Sequence, residues 1–323
     1  METSLCHSGV PKAPGRTLAQ TVGAIVCLCA LVGAPAIGAG PSFGAPADES
    51  GAAATSTGSL VRVFPTAPMQ GDTLTVLVAA LSGSDATVTF DGNPVATYPA
   101  QGGGRRALIG TDPDVASGAH RIGVVVHGPD GAVRRSTREV RLGATRFGVR
   151  HLSLPPSTFG LITSANLATE RRALVPVLSR RTPVAWWHGT FSTPSGGPID
   201  SPYGEQGWYN GHREWWHAGV DFAAPQGAPV VAANTGVVAL ARALPLGGNT
   251  VVLDHGQGVL TEYLHLSAFA VREGERVVHG AMVGRIGSTG LVTGPGLHWG
   301  LYVNGIPVNP LFWTAPQPGL TAP

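Results

Sequence analysis

The chain has 323 residues, a formal net charge of +2 and only 12% charged side chains. That length holds roughly two ordinary domains with connecting segments, and so sparse and balanced a charge excludes a nucleic-acid surface built on electrostatics. Lys12 is the single lysine, so the Gly-rich run GSTGLVTGPG is no P-loop, which needs a Gly-Lys-Ser/Thr end to reach phosphates.

The amino terminus carries Lys12 and Arg16 and then the apolar run VGAIVCLCALVGAPAIGA, with small residues at Ala34, Ala36 and Gly38. Residues 1–39 read as an export signal, which places the product in the periplasm or cell envelope, or outside the cell. The central apolar part, Val22 to Val32, is shorter than the ~20 residues that span a bilayer, so membrane contact is expected only through this segment if it stays uncleaved. Cys6, Cys27 and Cys29 all lie in or before the run. A mature chain without thiols has no disulfide framework, and any metal must be held by His, Asp or Glu.

Residues 40–59 are rich in Gly, Ala, Ser and Pro and read as a disordered linker. From Leu60 the pattern becomes short alternating runs: Leu74, Val76 and Val78 face away from Thr73 and Thr75, and Ala86, Val88 and Phe90 alternate with Thr87 and Thr89. Asp91-Gly92 and Pro129-Asp130-Gly131 supply turns, so 60–142 is expected to be an Ig-like β-sandwich. A bridge, 143–181, contains SANLATERRALVPVL, where Leu167, Leu174 and Leu178 share one helical face, Ser164 is the candidate N-cap and Pro176 limits the length. Arg171, Arg172, Arg180 and Arg181 read as a solvated helix face rather than a contact for an acidic polymer. Residues 182–315 hold all seven tryptophans, and their β-branched, glycine-punctuated runs predict an antiparallel β domain of hairpins with little helix. Residues 316–323 form a tail.

Three short stretches in this last domain carry chemistry. HAGVD puts His217 and Asp221 four apart. Gly219 and Val220 favour an extended segment, in which that even spacing places both on one face; by itself the pair fits a surface ion pair or a metal site. TEYLHLS places His265 on the face of Tyr263, with Leu264 and Leu266 opposite. LHWGLYV places His298 with Gly300 and Tyr302, opposite Leu297, Trp299 and Leu301.

In this order and with these flanks, the residues resemble the zinc endopeptidases of the lysostaphin and LytM type, which cut peptide bridges in bacterial cell walls. The resemblance runs through HAGVDFAAPQGAPVVAANTGVV, GNTVVLDHGQGVLTEYLHLS, VREGERVVHGAMVGRIGSTGLVTGP and LHWGLYVNGIPVNPLFW. It implies a mainly β chain with an Ig-like sandwich, a short helical bridge and a C-terminal antiparallel LytM-type domain. It also implies Zn2+ held by His217, Asp221 and His298, with a fourth position open to water as hydrolytic zinc requires, and a catalytic role for His265. Where the family has His-x-His, this chain has Gly296-Leu297-His298. The ligand set is complete while a catalytic imidazole is missing, and losing a positioned general base typically costs ~10²–10⁴-fold.

An ordered water, His212 or His188 are the substitutes weighed for that imidazole. His255 and His279 read as turn residues, and Trp208, Tyr209, Trp215 and Trp216 either wall a groove or pack. Two functions follow from the resemblance. One is an exported, attenuated zinc endopeptidase whose partner is peptidoglycan. The other is an inactive module that binds the wall or regulates another cell-wall hydrolase, as degenerate relatives in the family do.

Overall fold

The computed structural model describes residues 61–100 and 102–320; the expected export signal, the linker and the three cysteines lie outside them. Eight strands come first: β1 (Val61–Phe64), β2 (Thr73–Val78), β3 (Asp85–Phe90), β4 (Asn93–Val95), β5 (Thr97–Pro99), β6 (Arg105–Gly110), β7 (Gly118–His127) and β8 (Val133–Leu142). They form two four-stranded antiparallel sheets, β1-β2-β6-β5 and β4-β3-β7-β8. Leu74, Val76, Ala86, Val88, Ile122 and Val124 fill the space between, as the alternation predicts. Asp91 and Gly92 both take positive φ, the mirror-image turn that a two-residue hairpin loop requires.

The alternation misleads on β2. Thr73 and Thr75 are fully buried, because the outer face of this sheet is covered by the C-terminal part of the chain. The Trp313 indole N–H donates to Thr73 Oγ1 at 3.0 Å, and Asn304 donates to the Leu108 carbonyl at 2.7 Å. At the same junction the Trp216 indole N–H donates to Asp114 at 3.0 Å, and buried Arg106 reaches Gln257 and stacks over the Trp187 ring.

β9 (Val149–Leu152) and helix α1 (Ser164–Leu178) follow. The expected helix is present with Leu167, Leu174 and Leu178 buried, but its cap is Thr163, whose side chain accepts from the Asn166 N–H, rather than Ser164. Pro176 sits inside the helix, two residues from its end, where it removes only one backbone bond and the last turn still closes.

The remaining strands are β10 (Ile199–Ser201), β11 (Gln206–Tyr209), β12 (His212–Trp216), β13 (Gly219–Ala223), β14 (Pro229–Val231), β15 (Gly236–Leu244), β16 (Gly248–Gly256), β17 (Val259–Leu266), β18 (Ala268–Phe269), β19 (Arg276–Val277), β20 (Met282–Arg285), β21 (Gly296–Val303) and β22 (Ile306–Val308), and a 3-10 turn, Pro310–Thr314, follows them. The main sheet runs β10-β13-β21-β17-β16-β15-β19, with β22 on β21. One face buries Val220, Phe222, Tyr263, Trp299 and Leu301 in the largest core. On the other face α1 packs Leu174, Val177 and Leu178 against Leu240, Val252, Leu260 and Tyr302. The helix covers only part of that face, leaving a groove over β13, β21 and β17.

Candidate metal centre

β21 lies between β13 and β17, and Asp221 stands directly opposite His298 in the antiparallel register, so the two side chains leave the same face. His217 precedes β13; its N–H donates to the Glu205 carbonyl and its own carbonyl accepts from the Gly204 N–H, both at 2.8 Å. His217 Nε2, Asp221 Oδ1 and His298 Nδ1 then converge in a triangle with sides of 2.9, 3.0 and 3.0 Å. Among the described residues this is the one such cluster of three metal-ligating side chains.

The donor set suits zinc. Bonds of about 2.0–2.1 Å in tetrahedral geometry set donor atoms about 3.3 Å apart, so a slight opening of the triangle admits the ion. His217 Nδ1 lies 2.9 Å from the Pro202 carbonyl, to which it donates, and 3.1 Å from Ser201 Oγ. Those contacts commit Nε2 to the cluster, as in metal-ligating histidines. Electrostatics couple the three groups tightly. Burial opposes charge on His217, yet the Asp221 carboxylate more than offsets it and holds the imidazole above its usual range. Burial would raise Asp221, but His217 and His298 pull it well below the ordinary carboxylate range. Burial lowers His298, favouring the neutral form that binds metal.

His265 enters the same pocket by a backbone irregularity. Strand alternation puts it with Tyr263, but its φ of 64° breaks the alternation. Tyr263 and Leu266 pack into the core, while Leu264 and His265 both line the groove, so the expected grouping of faces is corrected. His265 Nδ1 donates to the Thr289 carbonyl at 2.8 Å, leaving Nε2 as the lone-pair nitrogen. The protein packed around it lowers its pKa to about 4, so it is neutral at ordinary pH.

Gly296 opens β21 and lines the pocket beside His298. A Cβ built there would meet only the Phe222 carbonyl, at 3.2 Å. The cavity, about 230 Å³, is also walled by Arg150, Tyr209, Trp215 and Glu262. Tyr209 and Trp215 meet edge to face at 5.4 Å; of the four aromatics weighed as groove walls only these two line it, whereas Trp216 belongs to the core and Trp208 stacks on His151.

Neither candidate substitute for the missing imidazole reaches the pocket. His212 is exposed and stacks on Phe159 at 5.9 Å. His188 is exposed beside Asn234, away from the pocket lining. His255 is no turn residue: it is the penultimate residue of β16 and fully buried, with Nδ1 donating to the Thr235 carbonyl and Nε2 beside the Thr261 hydroxyl. His279 bonds Ser192 on the surface.

Two site residues escaped the sequence reading. Arg150 donates from Nη1 to Asp221 Oδ2 at 3.2 Å and from Nη2 to Asp200 Oδ2 at 2.9 Å; it lies 71 residues before Asp221, in a stretch whose pattern gave no sign of a strand. Glu262 alternates with Tyr263 in a strand whose polar positions looked like solvent, yet it is 2% exposed. Burial pushes its pKa up to about 7, and the Tyr302 hydroxyl donates to Oε2.

A β sheet thus presents two histidines and an aspartate, a donor set able to hold a metal ion, to a half-covered groove. Residues 216–310 match the model of Peptidase family M23, so the segment that carries the cluster is an M23-type domain. The chain is 50% identical over 93 residues, 29% of this chain and 22% of the relative, to the peptidoglycan DD-endopeptidase ShyA of Vibrio cholerae. It is 45% identical over 123 residues, 38% of this chain and 28% of the relative, to the DD-carboxypeptidase/endopeptidase Mpg of Neisseria meningitidis. The chain thus spans about a quarter of the length of these curated relatives. A solved M23-peptidase structure from Pseudomonas aeruginosa is similar over 76% of this chain and 94% of its own, with 25% identity and a TM-score of 0.57.

Proposed function

We propose that the chain is an exported zinc-dependent endopeptidase that hydrolyses peptide cross-links of peptidoglycan, slowed by glycine at position 296. Residues 182–315 are the catalytic unit in this reading, and export rests on residues 1–39. The observation that carries it is the convergence of His217 Nε2, Asp221 Oδ1 and His298 Nδ1 within 3.0 Å of one another on the wall of a groove that also holds His265. Zinc in that triangle supplies Lewis acidity, polarising a peptide carbonyl and activating water near neutrality.

The remaining steps belong to the protein's own side chains. His265, its tautomer fixed by the Thr289 carbonyl, presents a neutral Nε2 that takes a proton during attack and returns it to the leaving amine. Tyr209 and Trp215 give an apolar wall against which an extended peptide lies. Position 296 contributes no donor or acceptor side chain, so one of two proton-handling groups is absent and turnover is reduced rather than abolished.

A second reading, an inactive module that binds the wall or regulates another wall hydrolase, is favoured by that same glycine. The full chain purified with zinc separates the two. Stoichiometric zinc with slow wall solubilisation that a chelator stops supports the endopeptidase. Stoichiometric zinc with no solubilisation supports the second reading, and absence of zinc binding contradicts both.

A further inference from the structure

The metal donors are held from β13 and β21, but one wall of their site comes from upstream of α1. β9 lies parallel to β11, with Arg150 opposite Gly207 and His151 opposite Trp208. His151 stacks on Trp208 at 5.8 Å, and the Gln206 N–H donates to the Gly148 carbonyl at 2.9 Å. This short strand is therefore fixed to the hairpin of β11 and β12 that runs straight into His217. From it the Arg150 guanidinium spans two carboxylates, Nη1 on Asp221 Oδ2 and Nη2 on Asp200 Oδ2.

The two oxygens of Asp221 are thereby divided. Oδ1 faces His217 and His298, and Oδ2 faces Arg150. A carboxylate free to rotate can offer one oxygen or both to a cation, whereas one whose second oxygen is occupied by a planar, always-charged donor offers a single oxygen in a fixed direction. Asp200 completes the arrangement. It anchors the other arm of the guanidinium and balances its charge, so the arginine orients Asp221 without leaving an uncompensated positive charge beside the cation site.

We propose that Arg150 is a positioning residue that fixes Asp221 as a one-oxygen metal donor, with Asp200 as its anchor, and that β9 thereby belongs to the metal site. The proposal rests on the zinc reading above. An ordinary surface ion pair contributes little and would leave metal affinity alone. The side chain of Arg150 is only 24% exposed, and one of its partners is the carboxylate at the cluster.

The test uses the full chain, with zinc affinity measured by competition with a chromophoric chelator and the visible spectrum of the cobalt(II)-substituted protein as a second readout. Arg150→Ala is expected to weaken zinc 10–100-fold, the range for loss of a group that orients a ligand, and to shift the cobalt bands. Arg150→Lys, a point charge that cannot span both aspartates, is expected to fall between Arg150→Ala and the parent. Asp200→Asn is expected to weaken zinc to a smaller extent. Unchanged affinity and an unchanged cobalt spectrum in Arg150→Ala or Arg150→Lys, with folding verified by circular dichroism, overturn the assignment while leaving the zinc site intact. A parent protein that takes up no zinc overturns both.

Discussion

Gly296 has the ordinary extended backbone of the first residue of β21, and a Cβ built on it approaches only one carbonyl oxygen. Neither conformation nor crowding therefore demands glycine there, and an imidazole can project into the groove after a shift of a few tenths of an ångström. Gly296→His is expected to raise wall-hydrolysing turnover by ~10²–10⁴-fold while zinc content stays constant, as measured by single-turnover kinetics and metal analysis. His298→Ala should do the opposite, removing stoichiometric zinc. At this scale the sequence was informative wherever a motif kept both spacing and flanks, as with His217, Asp221 and His298. Arg150 was not legible, because its importance arises only from parallel pairing of β9 with β11, a long-range contact that no local periodicity encodes. Glu262 was hidden for a related reason: a polar residue alternating with apolar ones looks solvent-facing until a helix is laid over it.

α1 does more than cover the sheet. Buried Glu170 accepts the N–H groups of Leu246 and Gly247 at 3.2 and 2.9 Å, and the Gly247 carbonyl accepts the His265 N–H at 2.9 Å. The helix thus clamps the turn between β15 and β16, and that turn holds the residue whose left-handed backbone aims an imidazole at the groove. Burial raises the Glu170 pKa, against these same N–H groups. Glu170→Ala leaves two buried donors unpaired, at about 1–3 kcal/mol each. A lower thermal midpoint and slower hydrolysis with unaltered zinc content are expected, and Glu170→Gln, which keeps an acceptor, should recover part of both. An unchanged midpoint in Glu170→Ala would contradict the clamp. The helix itself was readable from Leu167, Leu174 and Leu178; the role of its one buried acid was not, because the partner is a pair of backbone groups nearly eighty residues away. Likewise the strand at His265 was legible, but the φ that turns its side chain was not.

Two of the buried titrations away from the metal donors have opposite sign. His255 is held neutral, with its pKa lowered by burial to about 4, so unfolded chains take up a proton between 6.5 and 4 that the fold refuses, and stability falls on acidification. Glu262 is raised by burial to about 7, so the fold keeps a proton that unfolded chains release above about 4.5, and stability falls as pH rises to 7. Each amounts to roughly 3 kcal/mol across its window. Glu262→Gln is accordingly expected to match the parent at pH 4.5 and to exceed it by up to roughly 3 kcal/mol above pH 7.5 in urea unfolding; equal stability at both pH values would show that Glu262 is not held protonated.

The sandwich and the large sheet were both anticipated from turn residues and alternation. The junction between them was not, since Thr73, Arg106 and Asp114 look like surface residues in one dimension. That junction has a mechanical meaning. The Trp216–Asp114 bond lies one peptide unit from His217, and Arg106 is sunk beside Trp187 and Gln257, so the two halves of the molecule are tied together by buried polar contacts. The sandwich lends no residue to the lining of the groove, so what that seam governs is the footing of the strand that ends at His217, not the width of the opening.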